Sequence, residues 1–228
     1  MSEKNTSAAT QKYLIRDASS RAMNSGVGQL SEVELIALLL SNAGERGPYE
    51  KATMLLSKFG SVRSLLTSDF NELATHGVTE RQFLTLHAGM ELTRRHYQEL
   101  MSTGSVLSNP RATREYVRMR LRDLPHEVFC CILLDNRNRA MKFVELFRGT
   151  IDGASVHPRE VVKLALSNNA AALILVHNHP SGIAEPSQAD ELITRRLKEA
   201  LNLIDVRVLD HIVVGDSTCE SFADRGLL

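Results

Sequence analysis

The hydrophobic pattern changes once along the chain, and this change constrains the fold more than any other feature. From Ser31 to about residue 100, apolar side chains recur at the three- and four-residue spacing of amphipathic helices. After residue 109, short apolar runs of strand length alternate with helical segments. The sequence therefore predicts a small all-helical domain followed by an α/β or α+β domain.

Start and stop signals divide the first half into short helices. Ser31 followed by Glu34 forms a capping box, and Thr79 with Gln82 opens a longer helix that runs to about residue 100. Between them the pattern predicts helices over residues 50–59, 61–66 and 70–76, the first ending at Gly60 and the last at Gly77. This half is predicted to contain no strand.

The second half carries strand signals interrupted by helices. The continuous apolar run at residues 128–134 is typical of a buried strand, and residues 135–138 have the composition of a turn. The remaining predicted strands cover residues 140–147, 171–176, 206–209 and 212–214, with helices over 158–166 and 187–203. A loop rich in Pro and Gly covers residues 180–186.

Three segments follow from these patterns. Residues 1–28 are polar with few large apolar side chains and are predicted to be a flexible N-terminus. Residues 29–103 form the helical domain, and residues 104–228 form the second domain. The boundary lies in a stretch of small and polar residues, after which Asn109 and Pro110 supply the cap and first turn of the next helix.

Composition excludes several classes of protein. The chain has 27 basic and 27 acidic side chains, so no net charge attracts it to nucleic acid or to a membrane surface. Two of its three cysteines, Cys130 and Cys131, are adjacent, which does not suit a secreted disulfide framework. The first thirty residues lack the apolar core of a signal peptide, and no apolar run is long enough to span a bilayer. We expect a cytoplasmic protein without a membrane anchor.

Two histidines at the end of the strand predicted at residues 171–176 are candidate metal ligands. Side chains at positions i and i+2 project from the same face of an extended chain, so His177 and His179 can reach one ion. Asp190 lies in the first turn of the helix that begins at Ser187, and the Pro/Gly loop can fold its carboxylate back to the same point. Two His nitrogens and one Asp oxygen leave a fourth zinc position open, which is typical of a catalytic site.

Each of these features also has an ordinary structural explanation. An isolated His-x-His pair more often caps or hydrogen-bonds than binds metal. A Ser N-cap with an acid at the third helical position is common at helix starts. The combined spacing is what favours the metal site over these alternatives.

Written in full, the segment is His-x-His-Pro-x6-Ser-x2-Asp, from His177 to Asp190. It matches the metal signature of the JAMM (MPN-plus) metallopeptidases, and in context the chain resembles the bacterial RadC family. The resemblance is close over residues 105–228 and looser over residues 13–100. Its stretches are residues 156–161, 175–182, 209–215 and 221–228, with residues 30–37 in the helical half.

The resemblance implies a fold, a metal and an activity. It implies a cytidine-deaminase-like JAMM (MPN) domain in which Zn²⁺ is held by His177, His179 and Asp190. It further implies that the motif serine, Ser187, assists the transition state and that an upstream glutamate acts as general acid and base. Ser187 can accept an N–H as the helix cap while its O–H donates to a developing oxyanion.

Two glutamates are candidates for the general base. Glu127 immediately precedes the strand at residues 128–134, where JAMM domains place this residue, and it is the preferred candidate. Glu160 is the rival, although a carboxylate after Pro158 at a helix start is also favoured by the helix dipole. His157 and His211 fall in family-like stretches without ligand spacing, and both are expected to be hydrogen-bonding residues around the site.

Nucleic-acid binding has two candidate elements. RadC-like chains carry a helical region similar to a helix-hairpin-helix module, and the corresponding turn here is 77–79. It lacks the second glycine, so it is predicted to be degenerate as a phosphate contact. A stripe of arginines on one predicted helix face could instead follow phosphates or simply be solvated; its members are Arg111, Arg114, Arg118 and Arg122.

The leading hypothesis is a zinc metallopeptidase of the JAMM type that cleaves a peptide or isopeptide bond in an unknown protein or peptide substrate. The alternative is a DNA-repair or recombination accessory protein, in which the metal is structural and binding to DNA or a partner is the activity. A purely structural module is disfavoured, because His and Asp groups at metal spacing cost stability without a packing return.

Overall fold

The computed structural model describes residues 8–41, 47–104, 109–149 and 156–228. The chain forms two compact units, Met1–Leu92 and Thr93–Leu228. The predicted boundary between residues 103 and 104 falls later than this division, at the end of a long helix. Part of the predicted linker, residues 105–108, lies outside the described residues.

The first unit is helical throughout its described residues. Its helices are α1 (Ala8–Ser25), α2 (Glu32–Leu40), α3 (Pro48–Phe59), α4 (Val62–Thr67), α5 (Phe70–Thr75) and the first part of α6 (Glu80–Thr103), with a 3-10 turn at Val27–Gln29. Helix α1 lies within the segment predicted to be a flexible terminus, of which residues 1–7 are outside the described part. Ala18 is fully buried, and the partly buried Ile15 packs against the helical core.

The predicted helix boundaries follow their capping chemistry. The Ser31 side chain accepts from the Glu34 N–H while the Glu34 carboxylate accepts from the Ser31 N–H, which is the predicted capping box. Gly60 and Gly77 adopt positive φ angles of 75° and 77° after α3 and α5, a conformation that glycine allows at little cost. Side chains that share this helical core include Ile36, Leu40, Leu55, Leu65 and Leu73.

Helix α6 is the longest helix described, with 24 residues. It starts at the predicted Thr79–Gln82 cap, in which each residue bonds the other's backbone N–H. Its charged residues lie in the first turn and from the middle of the helix onward. Among the described residues, no helix combines the length and the apolar character needed to cross a bilayer.

The second unit is a mixed sheet covered by helices. Its further elements are α7 (Pro110–Leu121), β1 (Val128–Leu134), β2 (Ala140–Arg148), α8 (Pro158–Ser167), β3 (Ala172–Asn178), α9 (Gln188–Asn202), β4 (Arg207–Val214) and β5 (Cys219–Ser221). The strand order is β2-β1-β3-β4-β5. Only β3 and β4 are parallel; the other neighbours are antiparallel. Helix α9 makes the crossover that a parallel pair requires.

The residues of β1 are buried alternately in two different cores. Val128, Cys130, Ile132 and Leu134 face the cluster that contains Tyr116 and Leu121 of α7, whereas Phe129, Cys131 and Leu133 face the cluster built with α8 and α9. Burial on both faces explains why β1 and β3 are continuous apolar runs in the sequence. This mixed α+β arrangement agrees with the predicted fold class.

Three strand predictions need correction. The predicted strands at residues 206–209 and 212–214 are one strand, β4, because Asp210 and His211 are accommodated within it by buried hydrogen bonds. Strand β3 extends two residues further than predicted and so includes His177. Strand β5 was not predicted; it is only three residues long.

Candidate metal site

His177 and His179 lie at the carboxyl end of β3. His177 is fully buried and pairs with Phe129 of β1 and Val213 of β4, in the middle of the sheet. His179 follows the end of the strand, and its backbone N–H donates to the Val214 carbonyl, which holds the chain beside β4. The two Nε2 atoms are 3.0 Å apart. The predicted convergence of the two imidazoles is therefore present.

Asp190 reaches the same point from the first turn of α9. Its Oδ1 is 3.1 Å from His177 Nε2, and its Oδ2 is 3.6 Å from His179 Nε2. The carboxylate is completely buried although aspartate is usually a surface residue. Helix α9 starts directly after the loop that follows β3, so the crossover connection itself delivers the carboxylate to the histidines.

The two oxygens of Asp190 have different surroundings. Oδ2 accepts from the Ser187 N–H and from the Ser187 hydroxyl, both at 2.7 Å, and so completes a capping box. Oδ1 is buried and accepts no hydrogen bond from the described residues. Helix capping therefore explains the position of Oδ2 but does not explain the burial of Oδ1. The Ser187 hydroxyl, which is predicted to stabilise an oxyanion, donates its hydrogen bond to Asp190 Oδ2 in this structure.

Glu127 lies beside the two histidines. Phe129 pairs with His177 in the antiparallel register of β1 and β3, so extending this register by two residues sets Glu127 beside His179. A carboxylate oxygen of Glu127 and ligand nitrogens of both histidines lie within 4.8 Å of one another, a grouping that could hold a metal ion. The rival Glu160 is not part of this group; it lies in the first turn of α8, 3.5 Å from Arg159 Nε.

Electrostatics favour a charged carboxylate at Asp190. Burial alone would raise the pKa of Asp190, but the imidazoles of His177 and His179 outweigh it and hold this pKa well below its ordinary value. The hydrogen-bonded Asp190 carboxylate in turn raises the pKa of His179, against the opposing effect of burial. The site is therefore an anion that requires a cation beside it, either a proton on an imidazole or a metal ion.

The donor set fits a divalent metal. The His179 Nδ1 faces the Ile183 carbonyl at 2.7 Å, and because a carbonyl only accepts, a neutral His179 has its proton on Nδ1 and offers its Nε2 lone pair to an ion beside Asp190. Tetrahedral zinc with bonds of about 2.0–2.1 Å needs ligand atoms about 3.3 Å apart. The two Nε2 atoms are 3.0 Å apart and His177 Nε2 is 3.1 Å from Asp190 Oδ1, both near that value, whereas the 3.6 Å contact of His179 Nε2 is to the other oxygen, Oδ2. A metal ion held by the two nitrogens would also satisfy the buried Oδ1 of Asp190, which accepts no hydrogen bond from the described residues.

Comparison with known proteins decides the family. A family model described as the RadC-like JAB domain matches residues 107–227, and the match contains Glu127, His177, His179 and Asp190. The chain belongs to the RadC family. The RadC-like JAB domain is related to the JAMM superfamily, and the mixed sheet with its helices fits a JAMM/MPN-like fold.

Relatives extend this similarity over nearly the whole chain. A UPF0758 protein of Thioalkalivibrio sulfidiphilus is 52% identical over 210 residues, which is 91% of this chain and 94% of that protein. A UPF0758 protein of Nitrosococcus oceani is also 52% identical over 210 residues, with the same coverage. One from Stutzerimonas stutzeri is 49% identical over 208 residues, 90% of this chain and 93% of its own length. These names assign no activity, so the relatives support the family and not a reaction.

Three of the four arginines in the stripe along α7 form ion pairs within this RadC-family chain. Arg114 forms an ion pair with Asp224, Arg118 Nη1 lies 3.6 Å from a Glu115 oxygen, and Arg122 Nε lies 3.5 Å from an Asp216 oxygen; these contacts are within the second unit. Acidic partners offset the positive field that phosphates would need. The structure therefore adds no support for DNA binding by this helix.

The hairpin at residues 77–79 is also used internally. Val78 is 3% exposed and belongs to the helical core, and Lys51 Nζ donates to the Gly77 carbonyl at 2.9 Å. Thr79 caps α6. This hairpin thus contributes packing and capping contacts to the helical unit of the RadC chain.

Sequence reasoning missed two polar residues near the site. Asn178, between the two histidines, bonds the backbone beside Glu127, and Thr194 on α9 bonds His211. The signal for Thr194 is its place four residues after Asp190, one helical turn along the same face. His211 is confirmed as a buried hydrogen-bonding residue, in contact with His177. His157 caps α8 by position but makes no side-chain capping bond.

Proposed function

We propose that this protein is a zinc-dependent metallopeptidase of the JAMM type, which hydrolyses a peptide or isopeptide amide bond. The observation that carries the proposal is the convergence of three lone-pair atoms, from His177, His179 and Asp190, with the Glu127 carboxylate beside them. A site with three ligand residues and a further carboxylate beside them suits hydrolysis better than a closed structural site, which would use four protein ligands.

Zinc held by His177, His179 and Asp190 would supply Lewis acidity, which activates water and polarises the amide carbonyl. Glu127 then acts through its carboxylate oxygens. It accepts the proton of the attacking water and delivers it to the leaving amine nitrogen, so that one residue serves first as base and then as acid. In this scheme Glu127 is not one of the three ligand residues, and its carboxylate serves the proton transfer.

Ser187 has a conditional role in this scheme. Its hydroxyl donates a hydrogen bond to Asp190 Oδ2. A metal ion held by Asp190 would share the negative charge of this carboxylate and so weaken its hydrogen bond with Ser187. The Ser187 O–H can then turn to a developing oxyanion, while its oxygen continues to accept the Asp190 N–H as the helix cap.

The test compares two glutamate variants in the zinc-loaded protein against a library of peptides and isopeptides. Glu127→Gln is expected to retain zinc and to lose turnover, by about 10²–10⁴-fold, because the amide cannot carry the proton. Glu160→Gln is the matched control, with the same chemical change at the rival site, and is expected to retain both. Turnover that persists in Glu127→Gln and falls in Glu160→Gln would assign the base to Glu160.

Absence of any cleavage by zinc-loaded wild type over the whole library would contradict the peptidase proposal. In that case the accessory role, with a structural metal and binding as the activity, becomes the better hypothesis. The two differ in the effect of Glu127→Gln, since binding to DNA or a partner does not need a proton acceptor at this position.

A further inference from the structure

His211 lies behind the site and has both ring nitrogens engaged. It is fully buried on β4, with the Phe222 ring stacked 4.7 Å away and the Phe129 ring at 5.7 Å. Its Nε2 is 2.8 Å from His177 Nδ1, and its Nδ1 is 2.6 Å from Thr194 Oγ1. A neutral imidazole in such an enclosure carries a single ring proton, so that one nitrogen donates and the other accepts.

The position of that proton follows from the geometry. Thr194 Oγ1 is 2.5 Å from the Asp190 carbonyl oxygen, which can only accept, so the single hydroxyl proton lies between these two oxygens. The Thr194 oxygen must then accept from His211, and the His211 proton is on Nδ1. The opposite arrangement would press two lone-pair oxygens together at 2.5 Å without a hydrogen between them.

The same direction of hydrogen-bond donation extends to the metal site. With its proton on Nδ1, His211 offers a lone pair at Nε2, and His177 must donate to it from Nδ1. In a neutral His177 the Nε2 atom then offers its lone pair, on the side that faces His179 and Asp190. Every hydrogen bond in this chain therefore runs in one direction, from His177 through His211 and Thr194 to the main-chain carbonyl of Asp190.

We infer that Thr194 and His211 are positioning residues, which fix His177 as the Nδ1–H tautomer and tie its ring to the backbone of Asp190. The inference rests on the proposed metal site, because it concerns the two ligands at the ends of the chain of bonds. Partners of this kind orient a ligating imidazole and raise its basicity. The direction is fixed at the Asp190 carbonyl, which can only accept a hydrogen bond. The Thr194 hydroxyl passes this direction on to the two imidazoles, which could otherwise donate from either nitrogen.

This role differs from simple packing in one respect. A hydroxyl-free residue of the same shape keeps the packing and removes the direction of the bonds. In Thr194→Val, position 194 offers no hydrogen-bonding partner to His211 Nδ1, whether that nitrogen carries a proton or a lone pair. His211 can therefore carry its proton on either nitrogen. His177 is then free to carry its proton on Nε2, where it opposes metal binding.

The experiment measures zinc affinity by competition with a chromogenic chelator, together with ¹⁵N NMR of the histidine side chains. Thr194→Val is expected to bind zinc about 10–100-fold more weakly than wild type. Thr194→Ser is the matched control, because it restores the hydroxyl with a smaller side chain, and it should bind within a few-fold of wild type. Thermal unfolding with a chelator present reports whether each variant still folds.

The NMR measurement uses wild-type protein without metal and keeps the inference testable whatever the catalytic activity is. His177 is expected to carry a proton on Nδ1 and His211 on Nδ1 only. A neutral His177 protonated on Nε2 alone, or Thr194→Val with wild-type zinc affinity, would overturn the inference. If wild type binds no zinc, the proposed function fails while the tautomers still decide the direction of the bonds.

Discussion

Asn178 forms hydrogen bonds to the main chain on both sides of Glu127. The Val128 N–H donates to Asn178 Oδ1 at 2.8 Å, and Asn178 Nδ2 donates to the His126 carbonyl at 3.1 Å. Asn178 is itself 1% exposed and lies between the two candidate ligands. One amide therefore couples the position of the candidate base to that of the metal site.

Replacing Asn178 is expected to affect catalysis more than zinc binding. Asn178→Ala leaves a buried N–H and a carbonyl without this partner, which costs about 1–3 kcal/mol in the free energy of unfolding. A shift of Glu127 by an ångström would lower kcat by about 10²-fold. Zinc content, thermal unfolding and kcat on a peptide that wild type cleaves distinguish the effects. An unchanged kcat would mean that Asn178 acts only in stability.

Much of the fold follows from local sequence signals. The caps at Ser31, Thr79 and Asn109 fix where helices begin, and the apolar run of β1 marks a strand buried on both faces. The projection of His177 and His179 from the same face follows from the two-residue period of an extended chain. Signals of this kind depend on neighbouring residues and can be recognised without tertiary structure.

Other features depend on contacts between distant segments. Asp210 and His211 interrupt the apolar pattern of β4, and hydrogen bonds with distant residues, among them Ser221 and Thr194, make them acceptable inside a strand. Helix α1 depends on Ile15 meeting the helical core. The preference for Glu127 over Glu160 came from family resemblance, and its grouping with the histidines depends on the register of β1 against β3.

Helix α7 is not expected to bind DNA. Arg114 and Arg118 already have acidic neighbours, so Arg114→Ala with Arg118→Ala should leave binding of labelled duplex or branched DNA unchanged across a salt series. Partly exposed pairs of this kind contribute at most about 1 kcal/mol to stability. Contrary evidence would be affinity that falls with salt and loses about one unit of slope for each arginine removed.

The adjacent thiols are expected to be inert. Burial raises the pKa of Cys130 to about 12 and raises that of Cys131 further. Burial also raises the pKa of Cys219, to about 11, although this residue is partly exposed. A thiol-reactive dye at pH 8 should label native Cys219→Ser protein only after denaturant is added. Rapid labelling of that native variant would contradict the burial of β1.

Acid should weaken the capping box at the start of α2. The hydrogen bond from the Ser31 N–H is the main cause that lowers the pKa of Glu34 from 4.5 to about 2. A depressed native pKa means that the contribution of this carboxylate is complete above pH 4.5 and is lost as pH falls toward 2. The free energy of unfolding should therefore decrease more steeply over this interval in wild type than in Glu34→Gln. Parallel curves would exclude this contribution.

The convergence of His177, His179 and Asp190 on one cation is the central claim. Anomalous diffraction at the zinc absorption edge, from crystals of protein purified without chelators and supplied with Zn²⁺, tests it directly. We predict one strong peak about 2.0–2.2 Å from both Nε2 atoms and an Asp190 oxygen. No peak at this position, or a peak bound by other residues, would contradict the account.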